Sequence, residues 1–311
     1  MRASRAVART ILGVLLVLII WGFWLEPSSL RVRAEAIEVP WPASMTLRAA
    51  VISDLHVGAP YYGEDRLPEI VARTNATRPD IILLLGDFIT LGVIGGHFVP
   101  PEAVAHGLAG LRARYGVFAV LGNHDRTVAP TRLSEALTRV GIRDLEDTAV
   151  EIPTATGRLW IIGISDLWTG PHDIGRALAA VTDSSPAIAI THNPDVFPHI
   201  PARVALTLAG HTHGGQVRLP FLGPPIVPSA YGQRYAAGHV IEGGRHLFVS
   251  TGLATSDLPV RLGVPPTISL LTITGPRSSS AGPRTARTAA PGYAPRSVPG
   301  TLSPSSGSPR R

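Results

Sequence analysis

The chain has 311 residues, 45% of them apolar and only 16% charged, so it can bury a sizeable core and is not a disordered polyelectrolyte. It has no cysteine, which excludes a disulfide framework, thiol catalysis and a cysteine-held zinc. The formal net charge of +6 comes from the ends: residues 1–9 and 276–311 hold nine arginines and no acid, so the body between them is net acidic. No basic patch interleaved with aromatics accompanies these arginines, and no nucleic-acid partner is expected.

In chain order, residues Thr10 to Leu25 come first, an uncharged apolar run preceded by Arg2, Arg5 and Arg9 and followed by Glu26-Pro27. With Trp21 and Trp24 at its far end, it predicts a membrane anchor in residues 1–26. Arginines before the run outweigh those after it, where Glu26 and Glu35 offset Arg31 and Arg33. The positive-inside rule then gives a single-pass anchor in the inner membrane with the rest of the chain outside the cytoplasm. Two other readings stay open. Ala34-Glu35-Ala36 could serve as a signal cleavage site, and a helix lying on the inner leaflet would leave the domain on the cytoplasmic face.

After a linker over 27–45, short apolar runs bounded by Gly, Pro, Asp or Asn predict strands at Leu47 to Ser53, Asp80 to Leu85, Val117 to Leu121, Leu159 to Ile164, Ala187 to Ile190 and Val204 to Leu208. Helical stretches such as Glu102 to Arg114 and Leu133 to Val140 alternate with them. The expectation is one α/β domain over 46–275, a sandwich of two mixed β-sheets packed face to face and flanked by helices. Pro220 to Tyr231 reads as a rigid loop walling a substrate groove, with Phe221, Leu222, Ile226 and Val227 either receiving a lipid chain or packing. The Pro-, Ser- and Arg-rich segment 276–311 cannot bury enough apolar surface to fold and is expected to be a disordered tail that could touch anionic lipid head groups. No internal repeat is present.

Five motifs follow the predicted strands: Asp54-Leu-His56, Gly86-Asp87, Gly122-Asn123-His124-Asp125, Thr191-His192 and Gly210-His211-Thr212-His213. In open α/β sheets ligands collect beyond the carboxyl ends of strands, so these side chains can converge despite their separation in sequence. Asp54, His56, Asp87, Asn123, His192, His211 and His213 are the metal-ligand candidates, with His124 reserved for acid work. Oxygen and imidazole donors suit Mn, Fe or Zn, and seven are more than one ion needs. Two divalent ions sharing a carboxylate account for the surplus and would clamp the oxygens of a displacement at phosphorus. Four positive charges against Asp54, Asp87 and one hydroxide leave the site positive, which favours an anionic phosphoryl group. Hydroxide held by the metals would be the nucleophile, so no side chain need serve as one.

The same motifs in the same order resemble those of the calcineurin-like metallophosphoesterases. The likeness extends to that family's bacterial, membrane-linked YkuE- and YaeI-like branch through Ala209 to Val217, Val249 to Gly252 and Leu258 to Arg261. The resemblance covers residues 46 to 274 and implies that Asp54, His56 and His213 hold one ion. Asn123, His192 and His211 would hold the other, with Asp87 bridging. It further implies that His124 protonates the leaving-group oxygen or stabilises charge on the phosphoryl group. Asp125, its catalytic neighbour, reads as a carboxylate that orients ligands or the histidine, or as a turn residue. Arg261 is the candidate phosphate-binding residue. The sequence departs from the pattern at Thr267, where Glu is expected after Pro265-Pro266, and at Thr90, where protein phosphatases carry the Asp that orients their catalytic His. His97, His106, His172, His199, His239 and His246 are read as ordinary surface or core residues, His97 lying nearest a substrate loop.

The function expected is a membrane-associated, dinuclear-metal phosphoesterase cleaving phosphodiester or pyrophosphate bonds of a lipid-linked or nucleotide-sugar substrate such as UDP-2,3-diacylglucosamine. The alternatives are a metal-binding membrane scaffold without turnover and an exported, soluble phosphomonoesterase. No protein partner is evident.

Overall fold

The computed structural model describes residues 2–276, and within them the apolar runs become the inner strands of two sheets. The chain begins with helix α1 (Arg2–Ile20), which continues through a π-turn (Trp21–Leu25) into α2 (Glu26–Ser28). The helical stretch Ser4–Ser28 is 25 residues long and includes the 16-residue uncharged run, flanked by Arg5 and Arg9 on one side and Glu26 on the other. At 1.5 Å per residue the uncharged run measures about 24 Å and the whole stretch about 37 Å, which bracket a hydrocarbon core of about 30 Å.

Strands β1 (Arg31–Glu38), β2 (Thr46–Ile52), β3 (Ile81–Leu84), β4 (Val117–Ala119) and β5 (Ile142–Asp144) belong to the first sheet, together with β12 (Thr267–Thr274). Its order is β1-β12-β2-β3-β4-β5. The second sheet has β6 (Thr148–Thr154), β7 (Gly157–Ile164), β8 (Ala187–Thr191), β9 (Leu206–Ala209), β10 (Gly238–Glu242) and β11 (Arg245–Val249) in the order β10-β11-β9-β8-β7-β6. Both sheets are mixed. β2 to β5 run parallel while β12 opposes β2, and β7, β8, β9 and β11 run parallel between antiparallel partners at either edge. β1 lies within the segment expected as linker and pairs with β12 along its whole length.

Alternation along the strands builds the layers. In β3, Ile81 and Leu83 face the second sheet and pack with Ile161, Ile188 and Leu206. Ile82 and Leu84 face outward onto α3 (Leu67–Ala76), α4 (Pro101–Leu108) and α6 (Pro130–Arg139), meeting Leu67, Leu108 and Leu133. A strand covered on both faces reads as an unbroken apolar run, which is how β3 looks in sequence. On the far side of the second sheet, Ile162 and Ala189 pack against Ala177 of α7 (Ile174–Ala179). Helix α5 (Asn123–Val128) begins at the end of β4.

Helix α4 stops six residues short of the expected Arg114. Asn75 supplies the alternative, accepting from the Arg112 amide (2.9 Å) and donating to the Gly110 carbonyl (2.8 Å), so the chain leaves the helix with its polar groups satisfied. The tail expected over 276–311 lies, beyond Pro276, outside the described residues.

Candidate metal centre

Each motif residue follows the carboxyl end of a parallel strand: Asp54 and His56 after β2, Asp87 after β3, Asn123 and His124 after β4, His192 after β8, and His211 and His213 after β9. Both sheets open onto the same crevice, so all eight side chains meet there. The backbone is bent hard to bring them in. Asp54, His56, Asp87, His211 and His213 all have left-handed φ, between 36° and 70°. Such conformations cost about 1–3 kcal/mol each in non-glycine residues and persist where surrounding bonds over-determine them. Those bonds are present: the Asp54 amide donates to Gly86 O (3.0 Å), the His56 amide to Asp87 O (2.9 Å) and the His211 amide to the Asp54 carboxylate (3.1 Å).

Two glycines make room for the carboxylates. A Cβ on Gly122 would stand 2.1 Å from Oδ1 of Asp87, and one on Gly252, whose φ is +67°, would stand 2.7 Å from both Cβ and Oδ2 of Asp54.

The donors fall into overlapping groups. Ligand atoms of Asp54, His56 and His213 lie within 4.8 Å of one another, as do those of Asp87, His192 and His211, and those of His56, Asp87 and His124. Asn123 Oδ1 is 3.1 Å from His192 Nε2, which places it with the second group. Asp87 Oδ2 is 3.5 Å from His56 Nε2 and 3.3 Å from His192 Nε2, so it touches both. Nε2 of His56 and Nε2 of His213 face each other at 3.2 Å. Nδ1 of His192 sits 2.7 Å from Leu85 O and Nδ1 of His213 3.1 Å from Ala254 O; donating from Nδ1 to these carbonyls, each ring in its neutral form turns a lone pair on Nε2 into the crevice.

The electrostatics keep three of the ligand-candidate imidazoles, those of His56, His211 and His213, neutral. Burial pushes His56 and His211 down to about 3 and, with the neighbouring His56 and Arg261, holds His213 well below its usual value. Burial also raises Asp54 to about 6. Asp87 goes the other way: burial opposes its charge, yet His192 and His56 hold it well below the carboxylate range, and Asp87 in turn keeps His192 above the histidine range against the same burial. A packed set of carboxylate, carboxamide and imidazole donors with no thiolate fits divalent cations, whose charge would take the place of the His192 proton beside Asp87.

The crevice opens into a cavity of about 240 Å³ lined by Asp87, Asn123, His124, His211 and His213 and, on its outer side, by Trp168, Ile226 and Pro228. His124 is partly buried, its ring Nδ1 has no hydrogen-bond partner, and its amide donates to Asp87 Oδ1 (3.0 Å). Asp125 is fully buried behind this wall, where one oxygen accepts from the Phe88 and Ile89 amides and the other from the Gly122 amide (2.9 Å each). Burial and the Asp87 charge push it up to about 7, against those amides. It ties the Asp87 loop to the Asn123 turn and does not reach the cavity.

Arg261 is the correction. Expected at the substrate, it is fully buried, and its guanidinium donates to the carbonyls of Thr251 (3.0 Å), Val264 (3.0 Å) and Ala254, with Nη2 3.3 Å from His213 Nδ1. With its donors spent on backbone it braces the 251–264 loop and does not line the cavity. Phe221 and Leu222 also lie outside the cavity wall, to which their loop contributes Ile226 and Pro228. His97 does not line it either.

Trp168 is a site residue that the motifs do not announce. Its ring stands edge-on to His211 at 4.2 Å, and Asp166 holds its loop by accepting from the Trp168 and Thr169 amides (2.9 Å each). Its one sequence signal is position, just past the carboxyl end of β7.

Residues 47–215 match the family model of the calcineurin-like phosphoesterases. The metallophosphoesterase YkuE of Bacillus subtilis is 32% identical over 224 residues, covering 71% of this chain and 77% of that protein. The phosphodiesterase YaeI of Escherichia coli is 31% identical over 226 residues (71% and 79%), and the UDP-2,3-diacylglucosamine pyrophosphatase LpxG of Chlamydia trachomatis is 27% identical over 263 (68% and 78%). With this match over more than half its length, and with the metal donors assembled at the strand ends, the chain belongs to the calcineurin-like phosphoesterase family and is a metal-dependent hydrolase of phosphoric esters.

Proposed function

We propose that the chain is a membrane-anchored, two-metal phosphodiesterase or pyrophosphatase acting on a lipid-linked or nucleotide-sugar substrate, with UDP-2,3-diacylglucosamine as the first compound to test. The observation that carries this reading is the position of Asp87, within reach of His56 on one side and His192 on the other. Asp54, His56 and His213 would hold one divalent ion, Asn123, His192 and His211 the other, and Asp87 both. Mn, Fe or Zn bound there would supply Lewis acidity toward phosphoryl oxygens and lower the pKa of water toward neutrality.

The chain's own residues supply the rest. His124 lines the cavity, which supports a role in holding a proton for the leaving-group oxygen. Asp125 fixes the turn that presents it, and Arg261 fixes the loop behind His213. Trp168, Ile226 and Pro228 form apolar lips that would receive the non-phosphate part of the substrate and keep bulk water out. Helix α1 supports attachment to a membrane, and the arginines in its first half, ahead of the uncharged run, support an extracytoplasmic domain.

The test uses the full chain in detergent, stripped with a chelator and reloaded with Mn, Fe or Zn. Hydrolysis of bis-p-nitrophenyl phosphate, p-nitrophenyl phosphate and UDP-2,3-diacylglucosamine is then compared, with Asp87→Ala as control. Metal-dependent cleavage of a diester or pyrophosphate that vanishes in Asp87→Ala supports the proposal. Cleavage of the monoester alone makes the enzyme a phosphomonoesterase, and two-metal binding without turnover of any of the three points to a scaffold.

A further inference from the structure

A cavity of about 590 Å³ lies between the apolar helix and the body of the protein, lined by Val17, Leu18 and Trp21 of the helix and by Arg31, Arg218 and Pro220 of the body. Arg218 leads into a tight hairpin in which the Leu219 and Gly223 backbones pair at 3.0 Å. The tip is apolar and uncovered: Phe221, at φ 66°, has a relative exposure of 107%, and Leu222 of 71%.

The hairpin reaches outward along the helix. Among the described residues, the body's backbone bonds to the helix reach as far as Gly22, whose carbonyl accepts from the Arg261 amide (2.9 Å), whereas Pro220 lines the same cavity as Val17 and Leu18. Four to five residues of helix correspond to about 6–8 Å along its axis. The tip therefore stands level with helix residues that would have only lipid to face.

Two cations line the same cavity. Among the described residues, the Arg31 and Arg218 guanidinium groups make no ion pair or hydrogen bond. The acid in this wall, Glu26, has its Oε2 held by Trp21 Nε1 (2.7 Å) and the Gly263 amide (3.0 Å).

We infer that this face of the protein seats on a lipid bilayer, with Phe221 and Leu222 entering the acyl region beside the helix and Arg31 and Arg218 meeting lipid phosphates. The inference rests on the reading of α1 as a membrane anchor and adds a second point of insertion. Continuity with the helix selects the occupant, because a protein partner would have to share the surface with the lipid around α1. An apolar tip above a pair of cations is the arrangement that interfacial insertion requires. Two insertion points also fix how the domain is turned on the membrane, which a single helix does not.

The absence of cysteine makes the test direct. Phe221→Cys, Leu15→Cys and Thr156→Cys each take one nitrobenzoxadiazole label in the full-length protein, Thr156 lying in the turn before β7 at the opposite end of the strands. Each protein is reconstituted in vesicles of phosphatidylcholine and phosphatidylglycerol, with or without spin-labelled acyl chains. Labels at 15 and 221 are expected to lose about half their fluorescence or more to the spin label while that at 156 is unchanged. Quenching at 15 but not at 221 overturns the hairpin insertion and leaves the anchor intact. Quenching at neither overturns both, and equal quenching at 156 and 221 overturns the insertion as well.

Discussion

Nε2 of His192 lies 3.3 Å from Oδ2 of Asp87, a contact that ties a ligand candidate of the second sheet to one of the first. Without cations these two groups lean on each other: Asp87 holds His192 above the histidine range although both are buried. Divalent ions would satisfy the same carboxylate and release the proton. Because binding to the folded state alone stabilises it, a metal at 100 times its Kd contributes about 2.7 kcal/mol. The chelator-stripped protein should therefore melt about 5–10 °C below the reloaded one. Asp87→Asn should shrink that gap to about 2 °C or less. Scanning calorimetry of the four samples checks both statements.

His124 should separate chemistry from metal binding. Its amide, not its ring, contacts Asp87, so His124→Ala leaves the ligand loop in place. Metal content by mass spectrometry should be unchanged, whereas kcat for bis-p-nitrophenyl phosphate should fall about 10²–10⁴-fold, the range for a lost general acid. Loss of metal in this variant would make the ring a ligand instead.

The site was far more legible in the sequence than the sheet edges, and the reason is physical. Buried parallel strands appear as apolar runs, and the side chains just beyond them are the ones that converge, so Asp54, Asp87, Asn123, His192, His211 and His213 can be picked out from position and residue type. β1 alternates Arg31, Arg33 and Glu35 with Val32, Ala34 and Ala36 on a largely exposed edge, where two alanines on the apolar side leave only a weak hydrophobic signal beside the buried strands. Arg261 defies the local rule because its environment is made by tertiary contacts: Thr251, Ala254 and Val264 offer carbonyls that no pattern around residue 261 reveals. Trp168 is similar, since its contact with His211 joins the loop after β7 to the one after β9.

Arg261 should prove structural. Arg261→Met would leave buried carbonyls without donors and is expected to cost about 3–5 kcal/mol in chemical denaturation. Enough protein should remain folded at low temperature to measure kinetics, and KM for the diester should stay within about twofold of the parent value. A large rise in KM without loss of stability would restore the phosphate-binding role expected from sequence.

Gly252 should control metal affinity from behind Asp54. Alanine there must hold φ near +67° and place a methyl 2.7 Å from the Asp54 carboxylate, so the carboxylate has to move. Strain of about 1–3 kcal/mol is expected, with metal affinity down about 10–100-fold, the scale on which a ligand's supporting contacts act. Competition against a metal-binding dye reads the affinity directly, and an unchanged value would show that Asp54 tolerates displacement.

Tyr62 should make the protein sensitive to alkali. Its hydroxyl is packed beneath the chain that follows the apolar helix and donates to Ser29 O (2.9 Å), and burial pushes it up to about 12. In the unfolded chain the same phenol loses its proton near pH 10. Between those values the unfolded state gains the free energy of ionisation while the native state keeps its proton. The stability linked to this group is thus complete below about pH 10 and lost as pH rises toward 12, by about 2–3 kcal/mol. Tyr62→Phe removes the titration and the hydrogen bond together, so it should be less stable by about 1 kcal/mol at neutral pH and yet lose less on going to alkali. Urea unfolding of both proteins across this range gives two curves that converge if Tyr62 carries the effect. Parallel curves would place the alkaline loss in other groups, such as Tyr235, whose pKa burial also raises.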